Sequence, residues 1–235
     1  MLGEIVAVIG LDACKTGWVA VVVDGTGFRD AFVVPGIREA ERRGVTDYGA
    51  THIVVDIPIG IPDSSSRAAD TQARRFIAPR GSSVFPTPVR AALEAETYAE
   101  ARIASLAACG KSLSAQAYAI RERILDVDAH LESARIPVLE GHPEVSFREM
   151  AGQGIVHPKK TFAGMSLRHQ LLADEGILVP FGLESTLRGA AADDVLDAAA
   201  MAWTARRVAQ GVADRFPPGT DAERFSDGVD SAIWF

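Results

Sequence analysis

Four short apolar runs within the first 56 residues, each closed by a turn signal or an acid, constrain this chain more than any other feature. Residues 4–11 (EIVAVIGL) and 18–23 (WVAVVV) are short and rich in β-branched side chains, which favours strands, and DGTG at 24–27 is a turn of the kind that joins antiparallel strands. Residues 28–34 continue the pattern as a third strand. A short charged helix, expected around 37–43, separates these from residues 52–56 (HIVVD). The continuous apolar run there suits a strand buried on both faces, as parallel strands are. The opening is therefore a ββ hairpin, a crossover and a central parallel strand.

The middle of the chain changes character. From about residue 66 to 134 the strand signal shrinks to SSVF (82–85), and helices are expected over 67–77, 91–108 and 113–131. In the third stretch Leu113, Ala117, Ile120, Ile124, Val127 and Leu131 recur at spacings of four and three, drawing one apolar stripe of the kind that packs into a core. After Pro137 a short strand carries VLE (138–140), and HPEVSFREM (142–150) opens a helix. Further helices are expected over 166–175 and about 191–211, and the final GVDSAIWF reads equally as a closing strand or a docked tail. With 235 residues, 48% of them hydrophobic, the chain supports one large domain over 1–235, carrying a helical insertion or cap at about 64–135.

Charge narrows the partners. A formal charge of −7 and a pI near 5.3 argue against a surface that coats nucleic acid as a whole, so a nucleic-acid partner would have to meet a local basic groove. Cys14 and Cys109 are too few for a disulfide framework and lack zinc-ligand spacing; Cys14 reads as a small strand-end filler before a reactive thiol. Near the amino terminus an acidic Glu4 precedes the apolar run, without a basic region or a long hydrophobic segment. Neither a signal peptide nor a membrane span is expected, and the cytoplasm is the default location. The sequence leaves a homodimer open.

Acids stand where burial would be expensive. Asp12 ends the run IVAVIGLD, Asp56 ends IVVD, Glu140 ends IPVLE, and Asp194 and Asp197 lie in the alanine-rich DDVLDAAAMAW. An ionised carboxylate in apolar surroundings costs several kcal/mol unless a cation or hydrogen-bond donors compensate. Each placement has a plain structural reading: Asp12 and Asp56 can bond turn amides, and Asp193 and Asp194 can favour the positive end of a helix dipole. Their joint occurrence points instead to a divalent-metal site, and hard oxygen ligands select magnesium or manganese over zinc. Two such ions about 4 Å apart activate water and stabilise the leaving oxygen in phosphodiester hydrolysis.

Positive charge gathers in two places. Arg74, Arg75, Arg80 and Arg90 surround GSSVFPTP, where Ser82 and Ser83 can present donors to a phosphate, and Lys159, Lys160 and Arg168 surround TFAGMS. Ordinary surface arginines and a tight turn would look the same, and the P-loop spacing is absent. His142, beside Pro143, offers an acid or base or, equally, a helix-start hydrogen bond.

The segments GLDACKTGWVAVVV, VVDIPIGIP, RGSSVFPTPVR, LEGHPEVSF, KKTFAGMSLR and DDVLDAAAMAWTA occur in an order that resembles the family numbered 429 among domains of unknown function (DUF429), described as predicted nucleases with an RNase H-like fold. The resemblance runs from about Val6 to Arg206. It implies an α/β fold of the RuvC and actin-like superfamily, a mixed sheet with flanking helices, with acids on the first strand, the central strand and a late helix. Those positions match Asp12, Asp56, and Asp194 with Asp197, which the resemblance makes metal ligands. Glu140, in the family's own LEGHPE segment, is implied as a further ligand or as a partner that orients His142 or an arginine. Arg80, Ser82, Ser83, Lys159, Lys160 and Arg168 become the phosphate-binding candidates. The helical stretch between Asp56 and Pro137 exceeds what a minimal RNase H fold requires. A metal-dependent nuclease leads. An actin-like phosphotransferase, which would need an adenine pocket, and a non-catalytic phosphate or nucleic-acid binding module stand beside it.

Overall fold

The computed structural model describes residues 6–219 and 223–235. The expected start of the first strand at Glu4 lies outside them. Three strands open the chain, β1 (Ala7–Cys14), β2 (Gly17–Asp24) and β3 (Gly27–Val34), followed by helix α1 (Ile37–Tyr48) and strand β4 (Ala50–Val55). Five helices follow: α2 (Ala68–Phe76), α3 (Arg90–Leu93), α4 (Tyr98–Cys109), α5 (Ala115–Ala119) and α6 (Arg121–Leu131). Then come β5 (Val138–Gly141), α7 (Pro143–Ala151), α8 (Phe162–Asp174) and α9 (Ala192–Ala209). Short strands β6 (Arg215–Phe216), β7 (Glu223–Arg224), β8 (Asp230–Ser231) and β9 (Ile233–Trp234) close the chain. The main sheet runs β3-β2-β1-β4-β5-β9-β6. The first three strands are antiparallel, β4 and β5 lie parallel to β1, β9 is parallel to β5, and β6 is antiparallel to β9. GVDSAIWF thus closes the sheet rather than docking as a tail. No helix among the described residues is long and apolar enough to cross a membrane.

Alternation along the strands sorts side chains onto two faces. Val8 of β1, Val19, Val21 and Val23 of β2 and Val54 of β4 pack with α7, α8 and α9. Ile9, Leu11, Trp18, Ala20, Val22, Ile53 and Val55 pack on the other side with α1 and α6. Each fully buried valine, leucine or isoleucine among these contributes about 1.5–3 kcal/mol. Helix α9 lies over β1, β2 and β4, and its close approach has a simple cause: Gly10 faces it. A Cβ at Gly10 would come within 2.0 Å of the Ala198 carbonyl oxygen and the Ala202 nitrogen. Glycine on the strand and alanines on the helix let two backbones almost touch.

Two long helices expected in the middle are each broken. The stretch read over 91–108 splits because Thr97 starts a new helix, with its hydroxyl accepting from the Glu100 N–H and the Glu100 carboxylate accepting from the Thr97 N–H. The stretch read over 113–131 splits at Ile120, which ends α5 and starts α6. Its apolar stripe is core, but of two different cores. Leu113 and Ala117 pack with Val89, Ala92 and Ala101 in a small cluster of the helical segment, whereas Ile124 and Val127 pack under the sheet. SSVF forms no strand; Gly81–Ser83 is one turn of 3-10 helix, and its following residue Val84 offers its carbonyl to Arg74 at 2.8 Å.

Candidate functional site

The alternation that builds the core also aims the acids. Asp12 follows Val8 and Gly10 onto the α9 face of β1. Asp56, one residue beyond β4, follows Val54 onto the same face, and its N–H donates to the Leu11 carbonyl at 3.0 Å, so the two carboxylates leave neighbouring strand ends side by side. Asp197, in the second turn of α9 and 2% exposed, faces them because Gly10 admits the helix so closely. All three line one cavity of about 630 Å³, together with Glu140, His142, Glu144, Lys159, Lys160, Arg80, Ser82 and Ser83. Gln116 and Ile120 of the helical segment, Phe85, Arg67 and Asp70 also line it.

Burial and repulsion shape this cluster. The Asp12 carboxyl is held well above the usual carboxylate range, first by burial and then by the neighbouring Asp197 and Asp56. Burial also raises Asp56, opposed by His142 and Lys159. Asp197 is pushed up to about 7, again by burial first, although the Lys159 ammonium works the other way. Lys159 donates directly to the Asp197 carboxylate and stands 3.9 Å from Asp193. Burial disfavours its charge, but Asp197, Asp12 and Asp56 more than offset this and hold it protonated. Thr161 caps α8 through the Gly164 N–H, which fixes Lys159 and Lys160 in the loop just ahead of that helix.

Glu140 belongs to a different constellation. Its in-register neighbours are Val55 and, through it, Leu11, all on the face away from α9. Both its oxygens are taken: Arg67 donates to each at 2.7 Å, and the Ile59 N–H donates to Oε2 at 2.7 Å. The same guanidinium binds Asp70, which accepts from the Thr87 N–H at 2.7 Å. Of the roles open to Glu140, the arginine partnership is the one present; it clamps the start of α2 to the sheet.

The remaining candidates separate in the same manner. Asp194 does not line the cavity. Its carboxylate accepts from the Ala191 N–H at 2.9 Å at the start of α9, as a first-turn acid would. Arg168 is 1% exposed and donates from one nitrogen to both oxygens of Glu144 at 2.8 Å, so it lies behind the site and presents no face to a ligand. Arg80 sits 3.7 Å from Glu144 and does line the cavity, whereas Arg90 pairs with Asp128 and Asp227. His142 caps α7: Nδ1 accepts from the Glu144 N–H at 3.2 Å, which leaves Nε2 to donate toward the Ser83 carbonyl at 3.4 Å. Arg67, Asp70 and Glu144 were not legible as site residues. Their partners lie 73, 17 and 24 residues away, and only the i,i+3 spacing of Arg67 and Asp70 gave any local hint.

Two buried carboxylates and the half-buried Asp56 are the donor type that magnesium or manganese takes, and one ammonium leaves their charge unbalanced, so the set fits a hard cation in its chemistry. As arranged, the side chains are organised around Lys159. Among the described residues no three His, Cys, Asp or Glu side chains are set to hold one ion.

Fold and site together define an α/β protein whose mixed sheet delivers carboxylates from two adjacent strand ends and an overlying helix into one cavity. The chain belongs to the DUF429 family: the family model, described as a protein of unknown function, matches residues 10–222. No curated protein and no solved structure matches the chain.

Proposed function

We propose that the protein is a metal-dependent phosphodiesterase of RNase H-like type that acts on nucleic acid. The observation that carries this reading is the meeting of Asp12, Asp56 and Asp197 in one cavity that also bears Lys159, Lys160 and Arg80. The hairpin start, the crossover into a parallel β4 and the acids on β1, at the end of β4 and on α9 support the finer fold assignment.

Asp12, Asp56 and Asp197 would hold magnesium or manganese. Such an ion supplies an activated water and charge stabilisation at the phosphorus. The chain's own residues do the rest. Arg80 and Lys160 would bind phosphate oxygens, Ser82 and Ser83 would offer hydroxyl donors, and Lys159 offsets the charge of the carboxylates. Glu140, Arg67 and Asp70 position the walls without touching substrate.

The test is cleavage of labelled DNA, RNA and branched substrates with magnesium or manganese, beside calorimetric metal titration. Asp12→Asn and Asp197→Asn are expected to lose about 100-fold or more in rate and to weaken metal binding. Asp194→Asn is expected to keep most of the activity, since its carboxylate is occupied by a backbone amide. Cleavage by neither ion on any substrate, with metal affinity unchanged in both site variants, sinks the reading.

A further inference from the structure

Building on the phosphodiesterase reading, we propose that the substrate is a single strand, one of whose unpaired bases is held by the helical segment that lines the same cavity as the carboxylates. Phe85 receives the base by stacking, Ile120 closes on it, and Gln116 hydrogen-bonds its edge.

Phe85 carries the argument. It is a large apolar side chain left 47% exposed, and it lies in the wall of the cavity that holds the acids. A partly exposed aromatic ring in a cavity wall offers a platform for a planar ligand, and every nucleobase has a π-face to set against it. Ile120, half-buried at the junction of α5 and α6, adds an apolar surface to the same cavity, and the exposed Gln116 on α5 adds an amide with two donors and an acceptor.

Size and charge choose the unpaired form. A cavity of about 630 Å³ is of the dimensions that enclose a small ligand, and it is lined by both strand-end residues and residues of the inserted helices. A duplex keeps its bases stacked on one another and reaches Phe85 only after a base is extruded. Few cations are at hand to hold a long polyanion. Lys159 is engaged with Asp197, and Arg80 and the 79% exposed Lys160, which stand at 3.7 Å from Glu144 and 3.9 Å from Asp193, are enough for one or two phosphates.

The experiment is equilibrium binding, in manganese, of a nucleoside 5′-monophosphate, inorganic phosphate, a short phosphorothioate single strand and its duplex. Wild type is compared with Phe85→Ala and Gln116→Ala. Phe85→Ala is expected to bind the monophosphate and the single strand about tenfold more weakly, with phosphate affinity and melting temperature unchanged. Gln116→Ala is expected to change the order of preference among the four bases. Unchanged single-strand affinity in Phe85→Ala, or a duplex bound as tightly as the strand, overturns the base site. Metal-dependent cleavage that persists alongside either result leaves the phosphodiesterase reading standing. A tenfold loss in Phe85→Ala without cleavage of any substrate supports the base site and removes the hydrolase.

Discussion

At the scale of single residues, burial and two neighbouring carboxylates hold the Asp12 carboxyl well above the usual carboxylate range. Its folded pKa lies above the unfolded value, so the folded state keeps a proton that the unfolded chain releases. Stability is therefore lost as pH rises from the unfolded carboxylate range through the folded value, which for the adjacent Asp197 is about 7. Asp12→Asn removes that cost. It is expected to raise the melting temperature by roughly 4 °C at pH 8 and to leave it unchanged near pH 4, as thermal scans across pH would reveal. A variant that is more stable and inactive marks a residue retained for chemistry rather than for folding. Asp12, Asp56 and Asp197 were legible because each follows or interrupts an apolar run. The separation of Glu140 was legible too in principle, since it shares the parity of Val138, which packs on the face away from α9. The burial of Arg168 was not, because the sequence does not tell which face of α8 meets α7.

At the scale of elements, α9 and β1 act as one unit. Gly10 has no side chain to keep them apart, and Asp197 reaches Asp12 only because of that approach. Gly10→Ala must push the helix off the strand; it is expected to cost about 3 kcal/mol in denaturant unfolding and to lower metal affinity more than Gly44→Ala, whose added carbon meets the flexible tip of Ile9. The strands, α1 and the later helices could be read from periodicity, since burial on one or both faces dictates it. The break at Ile120 could not. The i,i+3/i+4 stripe continues unbroken through Ile120, and only the distribution of its residues between two cores shows the bend. At Thr97 the capping pair Thr97 and Glu100 was present in the sequence and signals a helix start.

At the scale of the whole molecule, the net charge of −7 and the small number of cations at the cavity set how the protein responds to salt. With two phosphates neutralised, the logarithm of single-strand affinity should fall against that of salt with a slope near −1.4, measurable by anisotropy titration. A steeper slope would require a basic surface beyond Arg80 and Lys160. The overall class, a mixed sheet with helices on both faces, was legible from the order of strand and helix signals. How the middle segment divides was not: α6 packs under the sheet, α2 joins the C-terminal strands, and the small cluster around Val89, Ala92, Ala101, Leu113 and Ala117 stands apart. That separateness carries a consequence for motion. A handful of side chains holds α4 and α5 to α3, and loosening those two helices leaves the large clusters on the sheet intact. Backbone amides of α4 and α5 should therefore exchange with deuterated solvent far sooner than those of β1, β2 and α9. The same excursion would open the wall that carries Gln116, turning the least protected part of the protein into the doorway of its most guarded charges.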